Sequence, residues 1–218
     1  LDIINNAELT VSKIESKSRR KSAPKPFTTS VLQQDAANKL NFTTKKTMMV
    51  AQELYEGIDI KGEGTVGLIS YIRTDSKRIS EEAREKAKDY IVDSIGQNYY
   101  KDHTKDSKGK KEKKVQDAHE AIRPTSVERT PDSIKDSLSK DQYKLYNLIW
   151  RRFVASQMED SIFDVLNVEC NIENLVFKAT GSKLKFDGYT KIYNFTDRED
   201  KILPSLSEGE SLKIQKQD

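Results

Sequence analysis

A chain of 218 residues is long enough to bury a sizeable core, as one large domain or two smaller ones. Its apolar share of 35% beside a charged share of 33% describes a globular protein with a highly charged surface, and no apolar run approaches the length of a membrane span. One cysteine, Cys170, excludes an intrachain disulfide and a cysteine-based zinc site; with no signal-peptide pattern at the start, the expected location is cytoplasmic.

The first ordered stretch in chain order is "AELTVSKIES", where Leu9, Val11 and Ile14 alternate imperfectly with polar residues and predict a strand. The basic, proline-containing segment from Lys17 to Pro26 reads as a linker or hinge. Ser30 with Gln33 forms a capping-box pattern that opens a helix over Val31, Leu32, Ala36, Ala37 and Leu40. A second helix is expected from near Thr44 to a stop at Gly57. "GLISYIRTDS" (67–76) then reads as a strand with polar groups gathered at its end, and Ser80 caps a third helix that stops at Gly96.

The stretch Lys101 to Lys114 holds seven lysines against three acids, a local net of +4 within a formal net charge of +3 for the whole chain, and reads as a mobile loop. Lys17, Arg19, Arg20 and Lys21 form a second basic cluster. Such clusters suit a polyanion, although many charge runs are simply solvated. Pro131, preceded by Thr130, suits the first turn of a short helix, and Ser139 with Gln142 opens the longest one, in which Trp150 packs. "FDVLNVECNI", "LVFKATGSKLKF" and "SLKIQKQD" have the two-residue period of strands, with Cys170 facing a core. The pattern predicts an α+β architecture, a helical domain inserted into a β-rich one. Residues 1–27 and 159–218 would form the two parts of the β-rich domain and 28–158 the helical domain, joined through hinges near 17–28 and 156–162.

Two constellations carry possible chemistry. Tyr71 and Arg73, two apart on an extended strand, share a face. A tyrosine in such a place is often only a packing residue. A phenol, with a reference pKa near 10, becomes a useful nucleophile only beside a cation or base that stabilises the phenolate, and a guanidinium can grip a phosphodiester in a fork while the phenol attacks it. The second constellation is "DAHEAIRPT", where one helical turn would bring His119 and Arg123 to one face as a phosphate-contacting pair. The chain has neither a GxxxxGK[ST] loop nor a closely spaced aspartate triplet for magnesium, so no residue is assigned as a metal ligand.

"GLISYIRTDS" together with "DAHEAIRPT" resembles the active-site tyrosine and downstream histidine motifs of the type IA DNA topoisomerases, in the form found in bacterial topoisomerase I. The likeness runs through "PFTTSVLQQDAANKLNFTTKKTMMVAQELYE", "LYNLIWRRFVASQM" and "FDGYTKIY", about residues 24 to 192. Topoisomerase III usually has proline between the tyrosine and arginine, where this chain has Ile72. The resemblance implies that Tyr71 attacks a phosphate of single-stranded DNA and becomes joined to the 5′ side of the break. Arg73 would bind the scissile phosphate, His119, Arg123 and Thr74 would contact DNA, and Asp75 would orient Arg73 or contact DNA. Strand passage and resealing would then relax negatively supercoiled DNA without ATP. Magnesium would be held by the acidic ligands of a TOPRIM domain outside this sequence, making that domain a partner. The chain, which does not begin with methionine, is expected to be the central fragment of such an enzyme, inactive in relaxation by itself, and nucleoid-associated in a bacterium. From another class, a noncatalytic DNA-binding or scaffold module would instead pack Tyr71 in its core; burial of the Tyr71 hydroxyl separates the two. Oligomeric state is left open.

Overall fold

A computed structural model describes residues 8–103, 119–195 and 200–213. In chain order the elements are β1 (Leu9–Lys21), α1 (Thr29–Leu40), α2 (Thr44–Glu56), β2 (Ile58–Ile60), β3 (Gly64–Val66), α3 (Glu81–Ser94), α4 (Lys140–Ser156), β4 (Ser161–Ile172), β5 (Leu175–Phe186) and β6 (Ser211–Leu212). They form an α+β protein of two units. One comprises Leu1–Lys21, Ser161–Asp187 and Thr196–Asp218, the other Ser22–Asp160 and Gly188–Phe195.

The β unit is a four-stranded antiparallel sheet in the order β5-β4-β1-β6. β1 runs well past the expected strand, because residues of the basic segment pair with β4 in unbroken register from Lys17↔Val165 to Lys21↔Ser161. The linker reading of 17–21 is therefore wrong: ladder hydrogen bonds hold these residues, and their charges project from a strand. Val11, Val168 and Cys170 bury against Leu203, Leu206 and Leu212, which places Cys170 in the core as expected. Among the described residues of "SLKIQKQD", Ser211–Leu212 is strand; residues beyond 213 lie outside the described ones, as does the lysine-rich stretch beyond His103.

In the helical unit, caps define the helix ends. Thr28, not Ser30, is the N-cap of α1, its hydroxyl accepting from the Val31 amide, and Asn41 ends the helix with φ 56. Thr43 caps α2, and Gly57, at φ 131, ends it. Ser80 caps α3, and the Ser139–Gln142 capping box of α4 is present in both directions. The stretch after Pro131 forms turns and a 3-10 turn at Lys135–Ser137 instead of an α-helix, with the Thr130 hydroxyl accepting from the Ser133 amide. Phe27, Leu32, Leu54, Leu68, Ile72, Ile91, Ile122 and Ile149 form the core. Tyr146 and Trp150 of α4 enter it with their polar ends satisfied, the hydroxyl donating to the Arg129 carbonyl at 2.7 Å and the indole N–H to the Val127 carbonyl at 2.9 Å.

Residues 188–195, expected in the β-rich part, pack instead with the helices. Tyr189 and Tyr193 are buried there, and the Tyr193 hydroxyl donates to Asp35. Lys39 pairs with Asp35 and lies 4.6 Å from the Tyr193 ring centroid, while the Arg152 guanidinium bonds Asp35 at 3.2 Å and stacks over Phe27 at 4.8 Å. Burial alone would raise the Asp35 pKa, but bonds from Lys39 and Tyr193 and the charges of Lys39 and Arg152 hold it below its ordinary value. A depressed carboxyl contributes stability above its unfolded pKa, about 4, and that contribution disappears as pH falls through the lower folded value. We expect Asp35→Asn to be less stable than the parent at pH 7 and the difference to shrink in acid, measured by urea denaturation across pH 7 to 2. A difference independent of pH would show that the carboxylate charge contributes nothing.

Candidate DNA-cleavage site

Tyr71 follows the β2–β3 hairpin, which the sequence reading did not anticipate, on an extended segment that is not a regular strand. Its one bridge is Ile69↔Pro124. Main-chain and side-chain bonds from elsewhere hold this segment. The Ser70 amide donates to the Arg123 carbonyl at 2.9 Å, the Ser70 hydroxyl donates to the Ala121 carbonyl at 2.8 Å and accepts from the Arg123 amide at 2.9 Å, and the Thr125 amide donates to the Leu68 carbonyl at 2.9 Å. "HEAIRPT" therefore lies alongside the tyrosine segment, although about fifty residues separate the two in the chain. It is extended, not the expected helical turn, because Phe27↔Ile122 and Ile69↔Pro124 take up its main chain.

On the other side, Thr29 at the start of α1 clamps the segment. Its hydroxyl donates to the Ile72 carbonyl at 2.7 Å and accepts from the Thr74 amide at 2.9 Å, and its own amide donates to the Thr74 carbonyl at 2.9 Å. Ile72, where the chain bends, is buried at 2%, whereas Tyr71, Arg73 and Asp75 are exposed.

Tyr71 is 49% exposed, and its ring meets the Tyr55 ring edge-on at 5.5 Å. Neither its hydroxyl nor the Arg73 guanidinium has a hydrogen-bond partner among the described residues. Thr74 uses its hydroxyl oxygen to accept from the Ser76 amide at 3.0 Å. His119 is exposed. Arg123 is largely occupied by the fold: it forks onto Glu120 at 2.7 and 3.0 Å and reaches the Pro124 carbonyl at 3.0 Å and the Ser80 hydroxyl at 3.5 Å. Burial opposes ionisation of Glu120, but the Ser80 hydroxyl and the Arg123 charge outweigh it and keep the carboxyl below its ordinary pKa.

Comparison with known proteins decides the family. The model of the DNA topoisomerase family matches residues 1–218. The chain belongs to the DNA topoisomerase family. A solved structure of full-length topoisomerase I from Thermotoga maritima is 40% identical, with a TM-score of 0.84 over 97% of this chain. This chain spans 34% of that one, about a third of its length.

Among the described residues no group of three or more His, Cys, Asp or Glu is placed to hold a metal ion. No described helix is long and apolar enough to cross a membrane.

Thr29 and Ser70 were missed by the sequence reading. Nothing in the run Thr28–Thr29–Ser30 distinguishes a helix cap from a clamp on a segment more than forty residues away. We expect Thr29→Val to cost about 1–3 kcal/mol, because it leaves the Ile72 carbonyl and the Thr74 amide without their side-chain partner. Chemical denaturation checks this, and a cost below about 0.5 kcal/mol would mean that water replaces the hydroxyl.

Proposed function

We propose that this topoisomerase chain is the strand-cleaving central part of a type IA enzyme, with Tyr71 as nucleophile. The observation that carries the reading is a half-exposed Tyr71 whose hydroxyl has no hydrogen-bond partner among the described residues, two positions from an exposed Arg73 that likewise has none among them.

The phenol oxygen forms a bond to a backbone phosphorus as the bond from phosphorus to the 3′ oxygen breaks. The phenolic proton is lost, the leaving oxygen gains one, and the phosphate remains as a diester on the tyrosine at the 5′ side of the break. Because one ester replaces another, its energy is conserved and no ATP is consumed; attack by the 3′ hydroxyl reverses the step. The planar guanidinium of Arg73 can grip two oxygens of the phosphate and stabilises the negative charge that grows on them in the transition state. Asp75, also exposed, orients Arg73 or meets DNA, while His119 and Thr74 contact the strand. Arg123 positions the histidine segment through Glu120 and Ser80 and offers DNA only its residual donor capacity. Magnesium, held by a TOPRIM domain on a further part of the polypeptide, belongs to this reading, and no step above runs through it. The substrates are single-stranded and negatively supercoiled DNA, in the bacterial cytoplasm at the nucleoid.

The test is complementation. The chain is mixed with a separately expressed TOPRIM domain of topoisomerase I, magnesium and end-labelled single-stranded DNA, and protein–DNA adducts are resolved on a denaturing gel. An adduct that maps to Tyr71 supports the reading. DNA binding without an adduct, also when the TOPRIM domain is covalently fused to the chain, would favour a noncatalytic binding module.

A further inference from the structure

A single oxygen holds both peptide groups that flank Arg73. The Thr29 hydroxyl donates to the Ile72 carbonyl at 2.7 Å, in the peptide before Arg73, and accepts from the Thr74 amide at 2.9 Å, in the peptide after it. The Thr29 amide adds a bond to the Thr74 carbonyl at 2.9 Å. Because peptide groups are planar, φ and ψ of a residue are the orientations of its two flanking planes, so these bonds fix the backbone of Arg73 and with it the direction in which the side chain leaves. Tyr71 is held differently. Among the described residues, the Ser70 and Tyr71 carbonyls and the Tyr71 and Ile72 amides, which make up its flanking planes, form no hydrogen bond. The clamp therefore acts on the arginine rather than on the tyrosine.

Thr29 is itself firmly seated. Phe27 and Thr28 just before it are buried, the Phe27 carbonyl accepts from the Ile122 amide at 2.9 Å, and Thr28 caps α1, which carries Leu32 and Ala36 into the core. Arg73, by contrast, is exposed, and its guanidinium has no partner among the described residues, so no side-chain contact directs it. Its aim comes from the backbone beneath it. A group that stabilises a transition state has to be presented within about 0.5 Å of the productive geometry, and a misplacement of about 1 Å can cost on the order of 10²-fold in rate.

We infer that Thr29 is a positioning residue for DNA cleavage: its hydroxyl, committed to main-chain groups, aims Arg73 at the phosphate that Tyr71 attacks. The inference rests on the cleavage reading above. It gives Thr29 an effect on the rate of bond breaking, exerted through Arg73, and none on how tightly the chain holds DNA.

The experiment follows single-turnover adduct formation by the full chain with the TOPRIM domain, magnesium and a saturating end-labelled single-stranded oligonucleotide. Anisotropy gives the affinity for the same oligonucleotide, and NMR gives the hydrogen exchange of the Thr74 amide. Thr29→Val keeps the shape of threonine without its hydroxyl, whereas Thr29→Ser keeps the hydroxyl. Thr29→Val should speed exchange of the Thr74 amide, slow adduct formation about 10- to 100-fold and leave the affinity unchanged. Thr29→Ser should return both rates close to those of the parent. In an Arg73→Ala background Thr29→Val should slow the reaction no further, because no guanidinium is left to aim and the effects of residues acting as one unit do not multiply. If Thr29→Val melts below the assay temperature, Thr29→Cys, which keeps a weak donor, takes its place with a smaller expected loss. Losses that multiply in the double variant overturn the inference, as does a parental adduct rate in a Thr29→Val protein whose Thr74 amide has lost protection. Thr29 would then serve stability alone. An adduct that forms in the parent, disappears in Tyr71→Phe and is undiminished in Thr29→Val sinks this inference but not the cleavage reading; no adduct from the parent, even with the TOPRIM domain fused to it, sinks both.

Discussion

Tyr71→Phe should abolish the covalent DNA adduct in the complemented reaction while leaving fold and DNA affinity intact. The substitution removes one oxygen and nothing the fold uses. The hydroxyl makes no hydrogen bond among the described residues, the ring is half exposed, and its contact with Tyr55 at 5.5 Å is made by carbon atoms that phenylalanine keeps. Stability should therefore change by no more than about 0.5 kcal/mol. Activity should fall by several orders of magnitude, on the scale of the roughly 10⁶-fold loss when an enzyme loses its nucleophile. Adduct yield on a denaturing gel and anisotropy with the same oligonucleotide separate the two effects. An adduct that survives at parental yield would remove Tyr71 from the chemistry. Arg73→Lys offers a graded comparison, because it retains the charge but loses the two-pronged grip on a phosphate. Weakened cleavage with the salt dependence of binding retained is the expected pattern.

The sequence made the helix ends legible where a cap is local. Ser80, Ser139 and Gln142 each satisfy an amide within three residues, so their patterns contain the structural cause. It failed where the partner is remote. The segment from Gly67 to Ser76 has the composition of a strand, but α1 through Thr29 and the histidine segment through Arg123 absorb its hydrogen bonds, so no ladder forms. His119 and Arg123 have helical spacing, yet bridges to Phe27 and Ile69 draw that stretch out straight. Lys17 to Lys21 looked like a linker because charge dominates its composition; only pairing with β4 discloses the strand. For the site, the exposure of Tyr71 and Arg73 around a buried Ile72 followed from the order of polar and apolar residues. The clamp beneath it did not, because the hydroxyls of Thr29 and Ser70 act on residues distant in the chain.

Gly188→Ala should be among the most destabilising single substitutions. Gly188 lies at the entry to the 188–195 segment with φ +50, and a Cβ there would meet the Asp160 carbonyl oxygen at 2.5 Å and the Glu159 carbonyl oxygen at 2.6 Å. Both are backbone atoms and cannot rotate aside. Glu159 is also held in place, since its carbonyl accepts from the Tyr189 amide at 2.9 Å and its amide donates to the Tyr99 carbonyl at 2.8 Å. Relief must come from moving the segment, which withdraws Tyr189 and Tyr193 from the core and takes the Tyr193 hydroxyl from Asp35. Left-handed backbone costs a residue with a side chain about 1–2 kcal/mol, and overpacking adds about 1–3. The total of about 2–5 kcal/mol corresponds to a melting temperature lower by roughly 5–15 °C for a protein of this size. Tyr193→Phe isolates one part of that loss: it keeps the ring and removes the bond to Asp35, so it should cost less than Gly188→Ala. Thermal denaturation of both variants decides the matter. Equal stability of Gly188→Ala and the parent would mean that residues 188–195 do not seat against the helices, and that Asp35, Lys39 and Arg152 hold together without Tyr193.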